Sequence, residues 1–197
     1  MTCIIGLKDK KNKCVWMGAD SLGSNGYSKN IQAQTKCFKY KEREDTVIGS
    51  TSTFRQIDLL KYDTTLFPEI DKYKNVEINH EYMVTKFIPN LHNLFSKGFI
   101  EENKNGVVSG GNFIIGIKEE LYEIQDDYSV LDNKDGYAAV GCGEDYAYAS
   151  LFTTEGTEME IKDRIIKALE SAEKFSCGVQ RPFTIINTMN NEVITVE

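Results

Sequence analysis

Short runs of apolar and alternating residues fill the first fifty positions, which indicates β-strands. The predicted strands are residues 2–7, 14–20, 36–40 and 46–49. The polar residues 8–13 between the first two strands predict a hairpin turn, and residues 21–30, rich in Gly, Ser and Asn, predict a loop. The chain is therefore expected to open as a β-meander.

The apolar spacing changes to a helical period over residues 52–66, where a helix is predicted. A second helical stripe runs from Met83 to Phe95 and contains Pro89, which should kink or break the helix because proline has no backbone N–H. Residues 101–111 are polar and glycine-rich and predict a loop. Two helix signals thus follow the opening strands.

The second half of the chain repeats this order of strands and helices. Strands are predicted at residues 112–117, 121–125 and 137–140, helices at 144–152 and 159–175, and a closing hairpin at 182–188 and 192–196. Two blocks of strands with helices in pairs predict an α+β fold in which helices cover a sandwich of two sheets. The alternation of strand and helix that a Rossmann fold requires is not present.

Length and composition predict one cytoplasmic domain spanning residues 1–197. The net charge of −7 disfavours binding to nucleic acid or to an anionic membrane. No apolar run is long enough for a membrane span, and the first residues lack the pattern of a signal peptide. Five cysteines without a C-x-x-C pair predict reduced, mostly buried thiols rather than disulfides or a zinc site.

Several classes of active site do not fit the sequence. A serine triad requires a histidine base, and the two histidines, His80 and His92, both lie in or beside the second predicted helix. No G-x-S-x-G, H-E-x-x-H, EF-hand or Walker A pattern occurs. The Gly141-Cys142-Gly143 turn has Tyr146 where a dinucleotide-binding loop requires a third glycine, so nucleotide binding is not expected.

Thr2 is the candidate nucleophile. Removal of Met1 would expose its α-amine, whose ordinary pKa of about 7.7–8.0 suits a general base near neutral pH. Asp20 ends the second predicted strand, and Lys36 follows sixteen residues later. A lysine near the amine would favour the neutral amine and lower the hydroxyl pKa, while Asp20 would hold Lys36 charged and oriented.

The chain resembles the proteasome β-subunit family and its bacterial relative, the heat-shock locus V peptidase. The resemblance rests on five blocks in the same order, namely TCIIGL (2–7), GADS (18–21), KCFKY (36–40), IGSTS (48–52) and YAAVGCGEDYA (137–147). The last block is similar to the family's A-I-G-S-G-x-x-Y-A signature. The Asp20–Lys36 spacing equals that of the family, and the match covers nearly the whole chain.

The resemblance implies a four-layer αββα sandwich of the N-terminal-nucleophile hydrolase type. It implies that Thr2 is the nucleophile, Asp20 the supporting acid and Lys36 the charge-tuning base. Ser52 falls where a backbone N–H forms the oxyanion hole, usually on a glycine. The remaining positions match a serine beside the amine, an aspartate and a second serine, and they are occupied here by Cys142, Glu173 and Ser176. The thiol of Cys142 is a weaker hydrogen-bond donor than a hydroxyl.

The implied function is that of a threonine-type endopeptidase that works through an acyl-enzyme ester without metal or organic cofactor. Family members form homo-oligomeric rings that are fed protein substrates by an AAA+ ATPase unfoldase. Two alternatives remain open. The chain could be a catalytically silent assembly subunit, since Cys142 and Ser52 depart from the family pattern, or an amidase of small molecules that acts without a ring.

Overall fold

The computed structural model describes residues 1–67, 77–98, 100, 102–104 and 107–197. In chain order the strands are β1 (Ile4–Asp9), β2 (Cys14–Ala19), β3 (Leu22–Ser24), β4 (Lys29–Ile31), β5 (Cys37–Tyr40), β6 (Arg43–Ser50), β7 (Glu102–Lys104), β8 (Val107–Ser109), β9 (Phe113–Ile117), β10 (Glu120–Ile124), β11 (Val130–Leu131), β12 (Tyr137–Val140), β13 (Phe183–Asn187) and β14 (Ile194–Val196). The α-helices are α1 (Phe54–Tyr62), α2 (His80–Tyr82), α3 (Ile88–Lys97), α4 (Glu144–Thr153) and α5 (Ile161–Phe175). The fold thus mixes helices and strands, as expected.

Ten of the strands in the described residues form two antiparallel five-stranded sheets. The first has the order β12-β1-β2-β13-β14 and the second the order β11-β10-β9-β6-β5. In the first sheet β1 lies between two neighbours, so that Ile4 is paired with Ala19 on β2 and with Val140 on β12. This register brings the start of β1, the end of β2 and the end of β12 to one edge of the molecule.

Alternation along β1 divides its side chains between two hydrophobic clusters. Ile4 packs with residues of both sheets, among them Val15 and Met17 of β2 and Val47 of β6. Gly49 permits this close approach, because a Cβ at that position would lie 2.4 Å from Ile4 Cγ2 and 2.7 Å from Met17 Sδ. The side chains that connect the two sheets are therefore packed against bare backbone at β6.

The helices cover the strands through two further clusters. Ile5 and Leu7, which point the other way from Ile4, pack with Leu151 of α4 and with Ile165 and Leu169 of α5. On the second sheet, Ile48 of β6 and the β9 residues Phe113 and Ile115 pack with side chains from α1 to α3, including Leu60, Phe87, Leu91 and Phe95. Burial of both apolar strand faces explains why the strands are apolar at successive positions.

The predicted helix at residues 52–66 is confirmed but is shorter. It begins at Phe54, because the Thr53 hydroxyl caps it by accepting from the Gln56 N–H at 3.1 Å, and it ends at Tyr62. The expected interruption at Pro89 takes the form of a π-helical segment, Met83–Phe87, which joins α2 to α3. Pro89 then lies in the first turn of α3, where a missing N–H is tolerated.

Two predicted loops contain strands, and these predictions were wrong in that respect. Residues 101–111 include β7 and β8, which pair with Lys104 opposite Val107. Residues 21–30 include β3 and the start of β4, with Gly26 in a left-handed conformation at the turn (φ 92°). Within residues 21–30, Asn25 and Gly26 lie in the turn of a short hairpin. No helix in the described part of the chain has the length and hydrophobicity that crossing a membrane requires.

Candidate active site

Thr2, Asp20 and Lys36 each lie just beyond the end of a strand. Thr2 precedes β1, and Asp20 directly follows β2, so the antiparallel pairing of these strands brings the two residues together. Lys36 directly precedes β5 of the second sheet. The site is thus formed where the two sheets meet, and all three side chains are buried, with Lys36 only 1% and Thr2 4% exposed.

Lys36 connects the other two residues. Its Nζ donates to Thr2 Oγ1 at 2.9 Å and to the two carboxylate oxygens of Asp20 at 2.9 and 3.0 Å. Burial lowers the pKa of Lys36 below the ordinary lysine value, while the charge and hydrogen bond of Asp20 act in the opposite direction. The arrangement holds a cation against the hydroxyl of Thr2.

Asp20 is fixed by backbone donors as well as by Lys36. Its Oδ1 accepts from the Cys3 N–H at 3.0 Å, and its Oδ2 accepts from the N–H groups of Leu22 at 2.9 Å and Gln180 at 3.4 Å. These bonds tie the carboxylate to the residue next to Thr2 and to the start of β3. Because the acceptor is rigid, the position of the Lys36 amine is determined by the fold rather than by a flexible side chain.

The main chain of Thr2 is held by the turn after β12. Its N–H donates to Cys142 Sγ at 3.3 Å, and its carbonyl accepts from the Gly143 N–H at 3.3 Å. With Met1 attached, the nitrogen of Thr2 is an amide, and the Thr2 hydroxyl donates to the Met1 carbonyl. The Met1 side chain is close to Gly178, where a Cβ would lie 2.9 Å from Met1 Cβ.

The structure brings Ser176 to this turn but not the carboxylate of Glu173. Cys142 Sγ lies 3.4 Å from Ser176 Oγ, and Ser176 also accepts from the Gly178 N–H at 3.3 Å. Glu173, one helical turn earlier on α5, accepts from the backbone N–H and the Nε of Arg181, both at 2.8 Å. Glu173 thus fixes the segment that follows Ser176.

Ser52 lines the same cleft as Thr2 and lies in the loop between β6 and α1. Its backbone is left-handed (φ 67°), a conformation that favours glycine, and its Oγ accepts from the Asn112 N–H at 3.3 Å. A glycine therefore suits this position of the backbone, as the resemblance implies, and the serine hydroxyl contributes one bond that a glycine could not.

A cleft of about 270 Å³ opens in front of Thr2. Its side chains are uncharged apart from that of Lys36, and the lining consists of Met1, Thr2, Leu22, Ser24, Lys36, Thr51, Ser52, Thr53, Phe54 and Ile57. A larger cavity of about 370 Å³ lies elsewhere, between Tyr40, Arg43, Thr64 and Phe67, and does not include these residues. The Thr2 hydroxyl thus faces a cleft that is lined mainly by uncharged side chains.

Sequence reasoning missed several residues of the site. Leu22, Phe54 and Ile57 line the cleft, but the sequence indicated only a loop at Leu22 and a helix at Phe54 and Ile57. Glu144 was missed too: its Oε2 accepts from the Gly141 N–H at 2.9 Å. The sequence signal at Glu144 and Asp145, two acidic residues at the start of a helix, indicates a favourable interaction with the helix dipole but not a contact with the turn before it.

The described residues contain no group of three or more His, Cys, Asp or Glu side chains that could hold a metal ion. The groups that the site brings together are a buried hydroxyl, a lysine amine held by a carboxylate, and a main-chain nitrogen that would become an amine if the Met1–Thr2 bond were cleaved. These groups suit nucleophilic attack on a carbonyl.

Comparison with known proteins shows the fold at low sequence identity. No protein-family model matches the chain, and no curated protein is similar enough to be identified as a relative. Among solved structures, BPH from Thiobacillus denitrificans in complex with epoxomicin matches over 100% of both chains, with a TM-score of 0.71 and 13% identity. Eukaryotic HslV from Trypanosoma brucei matches 94% of this chain and 98% of its own, with a TM-score of 0.67 and 18% identity.

A Gly-1 mutant of Anbu from Hyphomicrobium sp. strain MC1 gives a TM-score of 0.70 at 13% identity, and covers 100% of this chain and 87% of that one. Because these structures match over nearly the whole chain at low sequence identity, the order and packing of the helices and strands are shared, whereas most side chains differ. The chain has the proteasome-type fold of N-terminal-nucleophile hydrolases, the fold of HslV and of the ancestral β-subunit Anbu.

Proposed function

We propose that the chain is a threonine-type endopeptidase, a single proteasome β-type domain over residues 1–197 with Thr2 as its nucleophile. The observation that carries the proposal is the Lys36 amine, buried and paired with Asp20, at 2.9 Å from Thr2 Oγ1. A buried lysine costs free energy unless its charge is paired, and Asp20 alone would pair it. The additional contact with a hydroxyl at the end of a cleft is what a nucleophile requires.

The proposed reaction begins with cleavage of the Met1–Thr2 bond, which converts the amide nitrogen of Thr2 into an α-amine. That amine accepts the proton of Oγ1 as Oγ1 attacks the substrate carbonyl, and Lys36 stabilises the developing charge on Oγ1. The amine returns the proton to the leaving nitrogen, which leaves an ester on Thr2. A water molecule then hydrolyses the ester, with the same amine as base.

The neighbouring residues have supporting roles in this proposal. Cys142, 3.3 Å from the Thr2 nitrogen, and Ser176, 3.4 Å from Cys142, position the amine. The backbone N–H of Ser52 serves the oxyanion, because Ser52 lines the same cleft. Glu173 acts indirectly: it binds Arg181 and so holds the segment that follows Ser176. No metal or organic cofactor takes part.

Three further parts of the proposal concern the architecture, the assembly and the partners of the chain. The three hydrophobic clusters, one between the sheets and one under each set of helices, suit a four-layer αββα sandwich. By its resemblance to the proteasome β-subunit family, the chain would form a homo-oligomeric ring in the cytoplasm and receive protein substrates from an AAA+ ATPase unfoldase. Nucleic acid and membranes are not proposed as partners, given the net charge of −7.

The test uses protein that begins at Thr2 and a fluorogenic peptide substrate. Thr2→Ala should abolish turnover with an unchanged melting temperature, and Lys36→Ala should come close to doing so. Lys39→Ala is the matched control: Lys39 is also near the start of β5, but its amine contacts the Glu44 carbonyl instead of the site. Full activity in Thr2→Ala would refute the mechanism.

The same preparations separate the alternatives. An electrophile selective for N-terminal threonine, such as epoxomicin, should add its mass to the wild type and not to Thr2→Ala. A ring in light scattering without any adduct would indicate the silent assembly subunit, for which Ser52 and Cys142 are the specific observations. An adduct on a particle of one or two subunits would indicate the small-molecule amidase.

A further inference from the structure

The turn that holds Thr2 has an anchor of its own. Gly141 is the first residue after β12 stops pairing with β1, since Val140 opposite Ile4 is the last pair. From this point no sheet hydrogen bond holds the chain until α4 begins at Glu144. The residues between, Gly141 to Gly143, are those that contact Thr2.

Glu144 holds this turn from both sides. Its Oε2 accepts from the Gly141 N–H at 2.9 Å, and its own N–H donates to the Gly141 carbonyl at 3.0 Å. The carboxylate thus replaces the sheet partner that the Gly141 N–H lacks, and together with the backbone N–H of Glu144 it fixes both main-chain polar groups of Gly141. Hydrogen bonds to an ionised acceptor are shorter and stronger than neutral ones.

Gly141 transmits this constraint to Thr2 by direct backbone contact. Gly141 has a left-handed conformation (φ 104°), and a Cβ there would lie 2.3 Å from the carbonyl oxygen of Thr2. Gly143 donates to the same oxygen, and Cys142 contacts the Thr2 nitrogen. A shift of Gly141 would therefore move both main-chain groups of Thr2, whereas Lys36 and Asp20 constrain only its side chain and the next N–H.

We infer that Glu144 is a positioning residue for the reaction of Thr2: its carboxylate, through the Gly141–Gly143 turn, sets the orientation of the Thr2 nitrogen relative to Oγ1. The inference rests on the proposed function. Lys36 sets the charge beside the Thr2 hydroxyl, and Glu144 sets the position of the Thr2 nitrogen, which is the proposed base. The base must lie within hydrogen-bond reach of the proton that it removes, so a displaced turn lowers the rate of the chemical step while the cleft still binds substrate.

The experiment compares Glu144→Ala, Glu144→Gln and Asp145→Ala in protein that begins at Thr2. Asp145 is the exposed neighbour in the first turn of α4, so its removal takes the same charge from the same helix end and is the control for helix stability. Glutamine keeps an oxygen that can accept from the Gly141 N–H. We expect kcat to fall about tenfold in Glu144→Ala with KM unchanged, to stay within about threefold in Glu144→Gln, and to be unchanged in Asp145→Ala.

Equal kcat in Glu144→Ala and Asp145→Ala, at equal melting temperature, would overturn the inference. If the wild type has no peptidase activity, the proposed function fails and hydrogen exchange at the Gly143 amide decides the structural claim. That amide donates to the Thr2 carbonyl, so its exchange should accelerate in Glu144→Ala and not in Glu144→Gln or Asp145→Ala. Equal exchange in all four proteins would show that Glu144 does not position the turn.

Discussion

The Nζ atom of Lys36 lies 2.9 Å from Oγ1 of Thr2, although Lys36 precedes a strand of one sheet and Thr2 a strand of the other. The same amine is within 3.0 Å of both carboxylate oxygens of Asp20. In the proposed mechanism, the reactivity of the Thr2 hydroxyl therefore depends on the charge state of one buried lysine. This dependence leads to a prediction about pH.

Peptidase activity is expected to decline at alkaline pH earlier than an ordinary lysine would cause. Burial lowers the pKa of Lys36, so the cation is lost as pH rises through a value below the usual 10.4 or so. On the acidic side, activity should rise with deprotonation of the Thr2 amine, at a pH below the ordinary value of about 7.7–8.0 because the Lys36 cation favours the neutral amine. The measurement is kcat/KM across a pH series from about 6 to about 11. A rate that stays level up to the ordinary lysine pKa would contradict the assigned role of Lys36.

Cys142→Ser is expected to keep or raise activity. A hydroxyl is a better hydrogen-bonding partner than a thiol for the Thr2 nitrogen and for Ser176, which lie 3.3 and 3.4 Å from Sγ. One net hydrogen bond contributes about 0.5–1.5 kcal/mol, so the gain in kcat should be at most about tenfold. The control is Cys177→Ser, at the exposed cysteine next to Ser176, which should leave kcat unchanged. A severe loss in Cys142→Ser would mean that the thiol has another role.

Activity is expected to scale with the fraction of chains that begin at Thr2. While Met1 is attached, the nitrogen of Thr2 is an amide without a basic lone pair, and the Thr2 hydroxyl donates to the Met1 carbonyl. Met1 also lines the cleft that the substrate must enter. Protein cleaved from an N-terminal fusion to start at Thr2 should be compared with protein that keeps Met1, with both compositions measured by intact mass. Equal turnover in the two would exclude the terminal amine as base.

The free energy of unfolding of Ser52 variants should depend on how well each new residue tolerates the left-handed backbone at this position. Ser52→Val is expected to destabilise the protein by about 1–3 kcal/mol, because a β-branched residue is strained at positive φ. Ser52→Gly removes strain but also the bond from the Asn112 N–H, so the free energy of unfolding should change by less than about 1 kcal/mol. Urea unfolding measures both, and Ser52→Ala shows the effect of the lost bond alone. Equal stability of the Gly and Val variants would contradict the left-handed conformation.

The parts of the site that follow from strand ends could be predicted from the sequence. Thr2 and Asp20 lie at the ends of two predicted strands joined by a hairpin, and the pairing of β1 with β2 brings them together. Lys36 precedes β5 of the other sheet, so its place beside them followed from the family resemblance and not from strand pairing. The proximity of Cys142 to Thr2 required the family resemblance, since 140 positions separate them. The contacts of the Glu173 carboxylate could not be predicted by alignment. Its hydrogen-bond partner is Arg181, which lies eight residues away on a different segment.

The fold was predictable where periodicity was strong, as in α5, and less so where one residue type serves two purposes. Gly26 indicated a loop, yet a left-handed glycine is also what the turn of the β3–β4 hairpin requires. Pro89 indicated an interruption, but the sequence did not show that it would be a π-helical segment rather than an end. The cleft residues Leu22 and Ile57 are apolar like the core, and only the tertiary arrangement distinguishes them.

Because Gly49 has no side chain, the proposed catalytic geometry depends on the distance between the two sheets. Ile4 and Met17 of the first sheet rest on Gly49 of the second, with no room for a methyl group. Thr2 lies two residues before Ile4, and Lys36 precedes the strand that pairs with Gly49 through Cys37. A wider gap between the sheets would thus separate the amine from the hydroxyl. The absence of a side chain at Gly49 thus helps to set the distance between Lys36 Nζ and Thr2 Oγ1, two atoms that Gly49 does not contact.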